Sequence, residues 1–132
     1  MLTLRLIAAV SGLYDALVGI TMLLGRPLFA RLFDVPLPVP PIHADLNGLF
    51  LLAVAAGYAI PYREPESAAG RAYLWIMGPG LKGAGALAFI LDYIVRGSPR
   101  SFLLFAASDG ALAVITLAAL VASGSKREFR PR

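Results

Sequence analysis

The chain contains no cysteine, a single histidine and few charged residues. The lack of cysteine excludes disulfides, thiol catalysis, cysteine-ligated zinc and iron–sulfur clusters. Charged residues make up 15% of the chain, whereas an average soluble domain carries about 25%. Hydrophobic residues reach 58% of the 132 residues, and the mean hydropathy is +0.74. This balance excludes a soluble catalytic domain and a disordered chain, and it indicates a membrane protein.

Four apolar segments are each long enough to approach the about 20 residues that a helix needs to cross a bilayer. Prolines and glycines separate them, and these residues interrupt helices because proline lacks a backbone donor and glycine is conformationally free. The sequence therefore predicts an all-α, four-helix transmembrane bundle that forms a single domain over residues 1–132. The predicted helices cover residues 6–24, 45–60, 72–95 and 102–122, and the second could extend back towards Ile42.

The distribution of arginine and lysine predicts that both termini lie on the cytoplasmic side, because positive residues favour cytoplasmic loops. A basic tail over residues 124–132 would contact anionic lipid headgroups, so the net charge of +4 requires no nucleic-acid partner. One side carries seven positive residues, which are Arg5, Arg63, Arg71, Lys126, Arg127, Arg130 and Arg132, and the other carries four, which are Arg26, Arg31, Arg96 and Arg100.

Three ionisable residues fall inside the predicted helices, at Asp15, Lys82 and Asp109. A charge at the bilayer centre costs about 2.5–3.5 kcal/mol on insertion scales, so such residues face protein or water rather than lipid. Small residues share their helix faces and allow close helix contact. Around Asp15 these are Ala8, Ser11, Gly12 and Gly19, and around Asp109 they are Ala106, Gly110, Ala113 and Thr116.

The third segment places Lys82 on a face that repeats at alternating intervals of three and four residues, the spacing of a left-handed helix bundle. That face comprises Trp75, Gly78, Lys82, Gly85, Phe89 and Asp92. The sequence Gly78-Pro79-Gly80 predicts a kink just before the lysine, because a proline inside a helix leaves a carbonyl without its donor. Interrupted helices line binding cavities in transporters and also occur as plain kinks.

The formal charges of Asp15, Lys82 and Asp109 sum to −1, and Asp45 would make the sum −2. This leaves room for a proton or a cationic ligand in a shared polar pocket. The structural alternative is an Asp–Lys–Asp network that only fixes helix register, since polar side chains also join membrane helices.

A polar cluster precedes the second helix, where His43, Asp45 and Asn47 would form the mouth of this pocket. Asp45 follows two prolines and is a natural N-cap, and His43 and Asn47 share a face if the turn is helical. One histidine is a poor metal site, so we expect no metal. No phosphate-binding glycine loop or haem signature is present, and we expect no cofactor. The preceding loop could contain a short interfacial helix bearing Phe29 and Phe33, cap the bundle or simply connect two helices.

The layout resembles the DoxX-like small membrane proteins in its four segments, in Arg5 ahead of a glycine-bearing first helix and in Gly48 and Gly57 of the second. The resemblance covers the whole chain and implies a four-helix bundle. Some members of that group are associated with quinone-linked redox systems. The arginine-rich, lysine-poor composition is in turn typical of a bacterial coding sequence rich in G and C.

These observations predict a bacterial inner-membrane protein, in contact with the lipid bilayer, that binds a small amphipathic, lipid-like or quinone-like molecule or serves as an accessory subunit of a membrane enzyme. Proton-coupled transport by a homo-oligomer is the first alternative, with Asp15 or Asp109 cycling protons. A membrane-embedded isomerase is the second. The sequence lacks a recognisable catalytic set, so an enzyme is less favoured and no catalytic residue is assigned.

Overall fold

A computed structural model describes the backbone of residues 2–128 and the side chains of residues 3–124. The predicted tail therefore lies largely outside the described side chains, including Lys126, Arg127, Arg130 and Arg132. The described chain consists of helices and connecting loops. In order these are α1 (Leu2–Leu24), α2 (Arg26–Phe33), α3 (Ile42–Gly57), α4 (Ala59–Arg63), α5 (Ala68–Trp75), a π-helical segment (Ile76–Lys82), α6 (Gly83–Arg96), a 3-10 turn (Arg100–Phe102) and α7 (Leu103–Glu128).

Four helical stretches are long and apolar enough to cross a membrane, which confirms the all-α class and the four apolar segments. We call them spans 1 to 4, and they cover Thr3–Leu24, Ile42–Arg63, Ala68–Arg96 and Arg100–Gly124. Their surface is inverted relative to a water-soluble protein. Asp15 and Lys82 are only 2% and 5% exposed, whereas Leu24 and Val95 are 85% and 76% exposed. This pattern is typical of a multi-pass membrane protein.

Span 2 begins at Ile42, at the early end of its predicted range, and Asp45 is not its N-cap. The backbone N–H of Asp45 already donates to the carbonyl of Pro41, so Asp45 lies in the first turn of α3. Span 3 also begins early, at Ala68, because the Ser67 hydroxyl accepts a hydrogen bond from the N–H of Gly70 at 2.9 Å. A serine N-cap satisfies one of the donors that a helix start leaves free.

Span 2 also continues past Pro61, where the sequence predicted an end. The chain breaks helical continuity at Tyr58, between α3 and α4, and Pro61 becomes the third residue of α4. The N–H groups in the first turn of a helix have no acceptor within that helix, so proline is tolerated there. The result is a break in span 2 rather than its termination.

The spans pack as two hairpins. Span 1 lies along α3 and α4, span 3 lies against α7, and α1 meets α7 to join the pairs. Span 1 approaches α3 closely at Gly19 and Gly48, where a Cβ built on Gly19 would lie 2.9 Å from the carbonyl oxygen of Gly48. Small residues at such crossings let helix backbones meet.

Two ends of the molecule can be defined from these contacts. At the proximal end, which holds the start of α1, Arg5 donates to the carbonyl of Arg63, and Arg71 donates to Ser123. At the distal end, Arg26 pairs with Asp45. The apolar core lies in the proximal half and consists of Leu4, Ile7, Ala8, Val54, Tyr58, Leu74 and Leu120.

The predicted kink is a π-helical segment, and it changes which residues of span 3 are buried. Gly83 donates to the carbonyl of Gly78, five residues earlier. In an α-helix, the carbonyl of Trp75 would need a hydrogen bond from residue 79, which is a proline and has no N–H. In the π-helical pairing, the N–H of Gly80 can donate to this carbonyl instead. A π turn holds more residues, so the buried positions recur every four residues, at Leu74, Gly78, Lys82 and Ala86. Trp75, which the spacing placed on this face, is 43% exposed.

We expect Gly78→Ala to destabilise the fold by about 1–3 kcal/mol, the usual effect of overpacking a close contact. A Cβ at Gly78 would lie 2.5 Å from Thr116 Cγ2. Thr116 cannot rotate away freely, because its hydroxyl donates to the carbonyl of Leu112 at 2.6 Å. The free energy of unfolding, measured by SDS titration from mixed micelles, checks this.

Gly83→Ala is the matched control in the same span. Its added Cβ would meet only Ala113 Cβ, at 3.8 Å, and alanine is favoured over glycine in helices. Equal losses of stability in the two variants would contradict the close contact at Gly78.

Candidate functional site

The structure brings Asp15, Lys82 and Asp109 together in the middle of the spans. Lys82 is the central residue of span 3, and its Nζ donates to Asp15 Oδ1 at 2.6 Å. The same Nζ lies 3.5 Å from Asp109 Oδ1, and the Asp109 side chain is 17% exposed. The three side chains come from three different spans. We call this group the charged centre.

An aromatic ring completes the environment of the ammonium group. Lys82 Nζ lies 4.8 Å from the centroid of the Tyr14 ring, a distance at which the ring face attracts a cation. The Tyr14 hydroxyl in turn lies 2.7 Å from Ser108 Oγ, and Ser108 donates to the carbonyl of Leu104 at 2.9 Å. Tyr14 therefore connects span 1 to span 4 beside the charged centre.

Four buried polar atoms in the charged centre and on its proximal side have no hydrogen-bond partner among the described residues. They are Ser11 Oγ, Asp15 Oδ2, Tyr58 OH and Asp109 Oδ1. The Tyr58 side chain lies near Ser11 and Asp15. Buried polar atoms are normally paired with protein, water or an ion.

The sequence did not point to Tyr14, Tyr58 or Ser108. Tyr14 and Ser108 immediately precede the two aspartates, and neighbours in a helix point about 100° apart, so adjacency predicts different faces. Tyr58 lies at the break in span 2, which the hydrophobic pattern did not reveal. The one available signal was that phenolic and hydroxyl groups near an intramembrane charge tend to serve as its partners.

The predicted mouth residues do not join the charged centre in one pocket. Asp45 is paired with Arg26 at the distal end. His43 and Asn47 line a separate cavity of about 370 Å³, which we call the distal cavity. Its lining does not include the charged centre. It comprises Met22, Arg26, Phe29, Ala30, Val35, Pro36, Pro38, His43, Ala44, Asn47, Pro99 and Phe102.

A phenylalanine cluster lies between the charged centre and the distal end. Phe105 is one helical turn from Asp109 on the distal side, and its ring stacks on Phe33 at 4.7 Å and on Phe89 at 5.5 Å between centroids. Phe29 and Phe102 extend the cluster into the wall of the distal cavity. The short helix α2 thus packs its two phenylalanines on span 4 and caps this end.

Polar bonds hold α2 in that position. Arg26, at its start, pairs with Asp45 of α3, and the carbonyl of Phe33, at its end, accepts a hydrogen bond from Ser101. The loop from residue 26 to 41, which the sequence left open between an interfacial helix, a cap and a connector, therefore contains a helix that acts as a cap.

Comparisons with protein-family models, with curated proteins and with solved structures return no match to this chain. Within the part of the chain that the structure describes, no group of three or more histidine and acidic side chains is placed to hold a metal ion.

We expect Lys82→Met to destabilise the protein by about 3–5 kcal/mol, because it removes one partner of a buried ion pair and leaves two carboxyl groups behind. Arg96→Ala is the control, since Arg96 pairs with Asp92 but has a side chain that is 79% exposed, and exposed pairs add little. Unfolding by SDS titration checks both variants. A Lys82→Met protein as stable as the wild type would contradict the burial of a charged lysine.

Proposed function

We propose that the protein is a multi-pass protein of a bacterial inner membrane that binds a small amphipathic, lipid-like or quinone-like molecule in the distal cavity. The observation that carries this proposal is the cavity itself, with a volume of about 370 Å³. Binding sites for small molecules typically measure about 300–1,000 Å³ and combine apolar walls with a few polar groups.

The lining of the distal cavity supports a ligand with an apolar body and a polar head. Apolar side chains form most of the wall, and they come from α1, α2, α3, the connecting loops and the start of span 4, among them Met22, Phe29 and Phe102. His43 and Asn47, one turn apart on α3, supply hydrogen-bonding groups on one side. An imidazole and a carboxamide can both donate to a carbonyl or hydroxyl oxygen of a head group.

The proposed membrane orientation places both termini in the cytoplasm and the distal cavity in the outer half of the bilayer. The seven-to-four distribution of positive residues in the sequence supports it, and the exposed apolar side chains of all four spans would face lipid. The resemblance in layout to DoxX-like proteins, some of which are associated with quinone-linked redox systems, supports a quinone as the ligand. A role as accessory subunit of a membrane enzyme that uses the same ligand is compatible with this site.

Proton-coupled transport is the second candidate, and the net charge of the charged centre favours it. Two carboxylates share one ammonium near the middle of the spans, and intramembrane acids commonly take part in proton relays. Four short spans enclose little volume, so a transporter of this size would act as a homo-oligomer. An isomerase-type enzyme, which would use a carboxylate and Lys82, has less support because the sequence lacks a recognisable catalytic set.

We expect Ala30→Phe to abolish ligand binding, because Ala30 lines the distal cavity and a phenyl ring would occupy much of its volume. The probes are decylubiquinone, lysophosphatidylcholine and palmitate, each added to purified protein. At least one of them should raise the thermal unfolding midpoint of the wild type, since a ligand that binds only the folded state stabilises it.

Ala88→Phe is the matched control, since Ala88 lies on the exposed face of span 3 and the same substitution there should leave the midpoint shift intact. The proposal is wrong if none of the three probes stabilises the wild type, or if Ala30→Phe keeps the full shift. Transport is a separate question, because it requires flux driven by a pH gradient in proteoliposomes.

A further inference from the structure

With both aspartates and the lysine ionised, the charged centre has a net charge of −1, and no neighbouring group among the described residues neutralises it. Asp15, Lys82 and Asp109 are its charged groups, and the other titratable side chains that face it are the neutral phenols of Tyr14, Tyr58 and Tyr73. The neighbouring hydroxyls of Ser11 and Ser108 are also neutral. The arginines lie near the two ends of the spans, where Arg26 and Arg71 have their own partners. One bound proton would make the centre neutral, which a low-dielectric interior favours.

The two carboxyl groups are held unequally. Asp15 Oδ1 accepts a hydrogen bond from Lys82 Nζ at 2.6 Å, the short length expected of a charge-assisted bond. Asp109 Oδ1 lies 3.5 Å from the same Nζ and accepts no hydrogen bond among the described residues. The ammonium group therefore stabilises an ionised Asp15 more than an ionised Asp109.

A hydroxyl chain next to Asp109 can accept a hydrogen bond from a protonated carboxyl. Ser108 has one hydrogen, and its Oγ is placed to donate it to the carbonyl of Leu104. The Tyr14 hydroxyl lies 2.7 Å from Ser108 Oγ and beside the Asp109 carboxyl. Once Asp109 is protonated, the phenolic oxygen can accept the hydrogen of the carboxyl while Tyr14 donates its own hydrogen to Ser108 Oγ. Each hydroxyl in the chain donates once.

We infer that the charged centre is a proton-binding site in which Asp109 carries one exchangeable proton at neutral pH, while Asp15 stays ionised as the fixed partner of Lys82. The inference deepens the second candidate function but does not require it, because the bound proton would be present in a protein that transports nothing. It is independent of what the distal cavity binds.

Infrared spectroscopy of the full chain in lipid nanodiscs tests this directly. We expect the wild type to show the C=O stretching band of a protonated carboxylic acid at neutral pH, which shifts on exchange into D₂O and fades as the pH is raised. Every other acidic residue lies in a loop or towards the end of a span and should contribute no such band. Asp109→Asn should remove the band, because the remaining Asp15 and Lys82 balance each other.

Two glutamate variants locate the proton, because each keeps the charge and changes only the carboxyl that vibrates. Asp109→Glu should move the band, and Asp15→Glu should leave it in place. Tyr14→Phe should also move it, since the protonated Asp109 loses its acceptor. Lys82→Met supplies an independent check of the charge balance, because both aspartates would then take a proton and the band would become about twofold stronger.

The inference is overturned if the wild type shows no carboxylic-acid band from about pH 5 to about pH 9, the range in which an exposed aspartate is ionised. It is also overturned if the band moves in Asp15→Glu and not in Asp109→Glu, which would assign the proton to Asp15. A lack of pH-driven flux with the band present would reject transport and leave the proton site intact.

Discussion

The ammonium group of Lys82 between two aspartates is the interaction on which the rest of the structure depends. A lysine in the middle of an apolar span is costly unless it is paired, and its partners come from spans 1 and 4. Pairing therefore fixes how far each of these spans is rotated and shifted relative to span 3. The apolar side chains of the same spans do not fix the arrangement in this way, because contact with lipid is about as favourable for them as contact with another helix.

The π-helical segment and its glycines serve this interaction. The wider turns over Ile76–Lys82 accommodate Pro79 and keep Gly78 and Lys82 on the buried face. Gly78 lets α7 approach at Thr116, and Asp109 lies about two turns earlier on the same helix. On the distal side, the phenylalanine cluster lies between Asp109 and the distal cavity. The charged centre and the distal cavity are therefore two separate sites.

The sequence predicted the fold class and the convergence of the three charged residues, because both follow from the cost of placing polar groups in lipid. It was wrong about the end of span 2 at Pro61 and about Trp75 on the buried face, since local breaks and π turns depend on packing that spacing rules do not include. The roles of Tyr14, Tyr58 and the distal cavity were also missed. They depend on residues that are remote in sequence or lie on a different helical face, so the spacing of hydrophobic residues in the sequence does not predict them.

A double-mutant cycle on Asp15 and Lys82 tests most directly whether the two charges meet inside the protein. Asp15→Asn, Lys82→Met and the combined variant would each be unfolded by SDS titration from mixed micelles. We expect the two substitutions to be non-additive, with a coupling free energy of about 1–3 kcal/mol, as for residues in direct contact. Additivity within about 0.5 kcal/mol would mean that the ion pair does not hold spans 1 and 3 together.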